Sequence, residues 1–173
     1  MQLSTTQERF VRRWGDMGTR WGIPRSTAML HGLLYICNRS LTPEEICETL
    51  GLARSNVSTS LRELEDFRLV YRQSIPGDRR NYFAAETDVW EIARRILEER
   101  RRRETEGAVS AVAECLQAAR AEGDAVLTQR MEAMQELLSA ADTFAAAAQN
   151  YNTSVFRRAA QMGSKLLALL AKL

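Results

Sequence analysis

Between residues 41 and 86 the apolar pattern changes period, and no other feature restricts the fold as much. LTPEEICETLG (41–51) reads as a helix with Thr42 as N-cap, Pro43 at the first position, Glu45 closing a capping box and Gly51 ending it. A second helix follows, read from Asn56 to Leu64, where Val57, Leu61 and Leu64 recur at helical spacing. LVYRQSI (69–75) and NYFAAE (81–86) then turn β-branched and aromatic around PGDRR. Helix, short glycine turn, helix and a hairpin with a basic tip are expected in that order.

The rest of the chain reads as helix. Thr5-Thr6-Gln7-Glu8 is a capping box, and Phe10, Trp14, Met17 and Trp21 form the stripe of a first helix ending near Gly22. A second, largely buried helix starts after Ser26 and ends around Asn38. From Asp88 onward helix is expected almost to the end, with Gly123-Asp124 as a break and cap. Leu127, Met131, Met134, Leu138, Ala141, Ala145 and Ala148 form a heptad seam, and a last helix begins about Thr153. The expected fold is mainly α with a small β-hairpin. Residues 1–104 form one domain, including the N-terminal helix, and 105–173 a helical dimerisation region.

Composition narrows the function classes. Of 173 residues 45% are hydrophobic and 27% charged, as in soluble globular proteins, with no apolar run long enough to span a bilayer. MQLSTTQERF lacks the features of a secretory signal, so a cytoplasmic protein without membrane partners is expected. Cys37, Cys47 and Cys115 show no metal-ligand spacing and read as small buried hydrophobes; His31, the single histidine, reads as structural. No nucleophile with a base and no phosphate-binding glycine loop appears, so neither catalysis nor a cofactor is expected. The net charge of +2 places any basic surface locally. Arg100 to Arg103 lie among glutamates and read as solvated helix.

The outer face of the 56–64 helix carries the functional signal. Ser55, Ser58, Thr59 and Arg62 point away from the apolar stripe, and three of the four are weak helix formers. Short hydroxyls and amides suit a DNA groove, where they bond base edges and phosphates while the backbone approaches closely. With a hairpin behind it, this helix pair is a winged helix-turn-helix. Arg79 and Arg80 at the hairpin tip then face an adjacent minor groove, with Asp78 orienting a neighbouring arginine.

The runs WGIPRSTAMLHGLLYI, LTPEEICETLGLARSNVSTSLRELEDFRLVYR and PGDRRNYFAAETDVWEIARRILEER resemble the MarR superfamily of winged-helix regulators, most closely its GbsR-like branch, over about residues 14 to 103. The resemblance implies a dimeric transcription regulator, a repressor on this reading, whose partner is double-stranded DNA. By position it implies DNA contacts at Ser55, Asn56, Ser58, Thr59 and Arg62, and at Arg79 and Arg80 of the wing. Ala53 stands where many relatives have a capping serine, which leaves that role to a neighbour such as Ser55.

One winged helix touches few base pairs, so two half-sites and a homodimer are expected. Phe156, Leu166, Leu167, Leu170 and Leu173 supply the candidate dimer face; packing within one chain is the alternative use of the same surface. Relatives often respond to small molecules. Trp14, Trp21, Tyr35 and Trp90 are the candidate rings for an organic cation. Two other classes stay open: a winged helix used for protein-protein assembly, and a thiol-based redox regulator.

Overall fold

A computed structural model describes residues 1–101, 106–150 and 152–170, with side chains outside the description at 106, 144, 145, 147–150 and 164–170. Packing divides the chain into two compact units, Met1–Ile92 and Ala93–Leu173. The first contains α1 (Thr5–Arg20), α2 (Arg25–Ile36), α3 (Pro43–Leu50), α4 (Arg54–Asp66), β1 (Val70–Gln73) and β2 (Tyr82–Ala85). The break falls inside α5 (Val89–Arg100). Then come α6 (Glu106–Glu122), α7 (Ala125–Asn150) and α8 (Thr153–Leu170). A mainly helical chain with one antiparallel hairpin is the expected class.

α2 is the centre of the first unit, packing against α1, α3, α4 and β2. Leu30 and Leu33 are fully buried and Leu34 nearly so, together with Leu41, Ile46 and Val57. Each such side chain removed from water stabilises the unit by ~1.5–3 kcal/mol. α1 lies close on α2 because Gly18 has no Cβ; one placed there would overlap that of Ala28. Apolar spacing does not show this contact.

The expected punctuation of α3 holds in detail. Thr42 Oγ1 accepts the Glu45 N–H at 3.3 Å, the Glu45 carboxylate accepts the Thr42 N–H at 2.8 Å, and Gly51 closes the helix at φ 65°. Other boundaries shift. The first cap is Ser4, whose hydroxyl accepts the Gln7 N–H at 3.3 Å while Gln7 returns the bond at 2.9 Å, so the box begins one residue before Thr5. α4 starts at Arg54 with Ala53 as N-cap and no side-chain cap bond, so Ser55 lies inside the first turn and does not cap it. Trp21 ends α1 as its C-cap and is 49% exposed, outside the core, because the chain turns away at Gly22. Cys37 and Cys47 are half-buried and Cys115 is exposed, so the cysteines are not uniformly core residues.

The hairpin pairs Val70 with Ala85 and Gln73 with Tyr82. Leu41 adds an antiparallel bridge to Phe83, with N–H to oxygen distances of 2.8 and 2.9 Å in both directions. That bridge ties the segment before α3 to the second strand of the hairpin.

In the second unit α6 and α7 form a helical hairpin turned at Gly123, and Asp124 caps α7 by accepting the Leu127 N–H at 2.9 Å. Leu116 and Ala119 of α6 are buried. On α7, Met131 and Leu138 are half-buried, whereas Leu127, Met134 and Ala141 of the same expected seam are exposed, as is Leu137. Only part of the seam is therefore used by α6; the side chains of Ala145 and Ala148 lie outside the described residues. Arg101 donates two bonds to Asp142, at 2.6 and 3.1 Å, and holds that carboxyl below its usual range. No described helix is long and apolar enough to cross a membrane.

His31 is 4% exposed within a ring cluster of Phe10, Trp14 and Tyr35. The Trp14 indole N–H donates to His31 Nδ1 at 3.1 Å, which places the proton of the neutral ring on Nε2. Burial lowers the His31 pKa to about 4 from 6.5. The unfolded chain therefore takes up this proton first as pH falls, and stability is lost below about 6.5 down to about 4. About 2 kcal/mol of unfolding free energy should disappear between roughly pH 7 and 5. Urea titrations at both pH values measure this, and His31→Phe should remove most of that difference.

Candidate nucleic-acid interface

α4 separates two kinds of side chain. Val57, Ser60, Leu61 and Leu64 are buried, while Ser55, Asn56, Ser58, Thr59 and Arg62 are all exposed. At 3.6 residues per turn, Ser55, Ser58, Thr59 and Arg62 occupy an arc of about 100°, with Asn56 on its flank. The inner face is held by the core, so the outer face presents four short polar groups and one long cation. With no side-chain cap on its N-terminus, α4 also leaves first-turn N–H groups for an outside acceptor.

The hairpin tip is a tight turn. Asp78 N–H donates to the Ile75 carbonyl at 3.0 Å, across Pro76 and a Gly77 at φ 84° that disfavours any side chain there. Asp78 then binds its neighbours: its carboxylate accepts the Arg80 backbone N–H at 2.9 Å, the Arg80 guanidinium at 2.6 to 3.1 Å and the Tyr82 hydroxyl at 2.7 Å. The guanidinium also lies 5.4 Å from the Tyr82 ring centroid. These bonds hold the Asp78 carboxyl far below its usual range, Arg80 first, and push the Tyr82 hydroxyl up. Asp78 thus orients Arg80, one of the two wing cations. Among the described residues no ion pair engages Arg79 or Arg62.

Between α4 and the hairpin lies an open cleft of about 370 Å³. Ser58 and Arg62 line it, joined by Arg54, Arg72 and Asn81, which the sequence reading passed over. Arg72 is 3.4 Å from Glu65 and 5.4 Å from the Phe83 ring centroid. Strand alternation was the signal for it, since Arg72 shares the face of the buried Val70. Arg54 pairs with Glu44 at 3.0 Å, an exposed bridge that contributes little.

Two of the four candidate effector rings meet. Trp14 and Tyr35 adjoin, with centroids 6.4 Å apart and planes within 5°, inside the His31 cluster. Trp21 sits two turns further along at the exposed end of α1, and Trp90 in the first turn of α5, where its backbone N–H donates to Asp88 Oδ1 at 2.9 Å. Of the candidate dimer residues, Phe156 is half-buried on α8. Leu166, Leu167 and Leu170 have side chains outside the description, and Leu173 lies outside the described residues.

A family model described as MarR family matches residues 30–81, from α2 through the wing tip. The match covers 52 of the 173 residues, so the likeness to the MarR family lies in the helix pair and the hairpin. The HTH-type transcriptional repressor GbsR of Bacillus subtilis (strain 168) is 29% identical over 94 residues, which cover 54% of this chain and 52% of that protein. The chain thus spans about half the length of the curated relatives it matches. A crystal structure described as a transcriptional regulator superposes with a TM-score of 0.63 at 22% identity, covering 90% of this chain and 99% of that one, so the fold is shared. Within the hairpin tip, removing Asp78 has a specific consequence. Asp78→Ala should lower the pKa of the Tyr82 hydroxyl, because the acceptor that raises it is removed. A difference absorbance titration against the parent reads this directly.

Proposed function

We propose that this protein is a member of the MarR family and a sequence-specific DNA-binding transcriptional regulator that acts as a homodimeric repressor. One observation carries the reading: the exposed hydroxyl and amide face of α4, with Arg62 unpaired among the described residues, stands beside a rigid wing whose Arg79 is likewise unpaired. α4 enters the major groove, where Arg62 reads a guanine edge and the short side chains bond bases and phosphates. The wing lies along the neighbouring minor groove with Arg79 inserted and Arg80 held at its edge by Asp78. The likeness to a protein named a transcriptional repressor supports the direction of control.

The dimer reading rests on unburied apolar surface. Met134 is 47% exposed and Leu137 69%, on one side of α7, and Val155 and Met162 are exposed on α8. A second copy supplies the missing cover, and the apolar sequence positions Phe156, Leu166, Leu167, Leu170 and Leu173 are the candidates for its contact. Cytoplasmic placement follows from access to DNA.

Arg62→Ala should erase preference at one base pair per half-site, a loss of about 1–3 kcal/mol confined to the cognate sequence. Arg79→Ala should weaken binding to all duplexes and reduce the salt slope by roughly 0.9 for each phosphate it no longer neutralises. Fluorescence anisotropy across a salt series, using duplexes selected from a random pool, measures both. If neither substitution changes duplex binding, the winged helix serves protein-protein assembly instead. Deleting residues 153–173 should yield a monomer on sedimentation, with operator affinity down about a hundredfold because the half-sites are no longer linked.

A further inference from the structure

Thr27, in the first turn of α2, is 2% exposed, and so is Ser60 in the middle of α4. Thr27 Oγ1 donates to Glu63 Oε2 at 3.0 Å and lies 2.9 Å from Ser60 Oγ. A hydroxyl has one proton, so the donor in the second bond is Ser60. The chain runs Ser60 to Thr27 to Glu63, joining one residue of α2 to two of α4.

Ser60 and Glu63 are three residues apart, one turn of the helix, and alternate with Thr59 and Arg62 on the outer face. Two fixed points a turn apart determine how a helix is rotated about its own axis. Apolar contacts through Val57, Leu61 and Leu64 set the depth of α4 but tolerate a few degrees of roll, because dispersion is non-directional. Buried hydroxyl bonds do not, since rolling the helix strands a donor away from water. We infer that Thr27 is a positioning residue that fixes the rotation of α4 and so the direction in which Thr59 and Arg62 leave the surface. The inference rests on the DNA-binding reading of α4. The neighbouring Ala28 is the point where Gly18 of α1 touches α2, so a displacement of α1 reaches the same turn.

The test compares Thr27→Val, which keeps the shape and removes the hydroxyl, with Thr27→Ser, which keeps the hydroxyl. The probes are the duplex recovered from a random-sequence pool and the same duplex with one base pair changed in each half-site. Thr27→Val should lower the ratio of the two affinities by about tenfold, most of what one mismatched base pair costs, with the salt slope unchanged. Thr27→Ser should keep the ratio. A structural role alone would lower thermal stability and leave the folded protein's ratio intact, and that result overturns the inference. If Thr27→Val does not fold, Ser60→Ala decides: a several-fold fall in the ratio supports the role of the chain, and an unchanged ratio overturns it. A parent that binds no duplex overturns the DNA reading itself, whereas a parent that binds, with Thr27→Val equally selective, overturns only the role of Thr27.

Discussion

The first unit depends on burying α2. Its run from Ala28 to Leu34 contacts helices on either side and β2, so almost every residue of that run is out of water. An element buried on several faces leaves its polar side chains two outcomes: find a partner inside or be stranded. Thr27 finds Ser60 and Glu63, and His31 Nδ1 accepts the Trp14 indole. His31 Nε2 is buried without a bond. Its imidazole is held neutral by that burial, and a protonated ring would point an N–H at the N–H of Trp14.

Selective pairing of cations determines what the candidate interface offers. Residues 1–92 contain as many acidic as basic side chains, so the unit as a whole has no field to draw in a polyanion. The useful charge is what pairing leaves over. Arg25, Arg39, Arg54, Arg72 and Arg80 each meet a carboxylate, while Arg62 and Arg79 meet none among the described residues. In the proposed DNA complex recognition is therefore local: it demands that a groove come to Arg62 and Arg79 rather than that DNA be attracted from afar.

Legibility in the sequence followed the range of the interaction. Period and punctuation identified α3, α4 and the hairpin, because Thr42, Pro43, Glu45 and Gly51 act within a few residues of each other. The outer residues of α4 were legible for the same reason: once Val57, Leu61 and Leu64 face inward, helical geometry alone places Ser58, Thr59 and Arg62 outward. Asp78 acts two and four residues along the chain and was also legible. What could not be read were meetings of distant segments. Leu41 pairs with Phe83, Thr27 with Ser60 and Gly18 with Ala28. Trp21 failed for a related reason, since periodicity continues a stripe past the point where Gly22 turns the chain aside.

Arg62 and Arg80 reach the candidate interface by opposite routes. Arg80 is ordered in advance by four bonds to Asp78 and by the Tyr82 ring, so little rotamer entropy remains to be lost on binding. Its charge is largely compensated by Asp78, which limits what it adds to affinity. Arg62 has no such restraint and keeps its whole charge, so its side chain must be ordered at the moment of contact, at a cost of up to ~2 kcal/mol. A guanine edge that satisfies both arms of the fork offsets that cost; a base offering one acceptor does not. The free arginine is therefore the more discriminating of the two, provided its helix points it at the same base each time. In the proposed DNA complex that condition makes the rotation of α4, rather than the number of cations on its surface, the quantity that limits specificity.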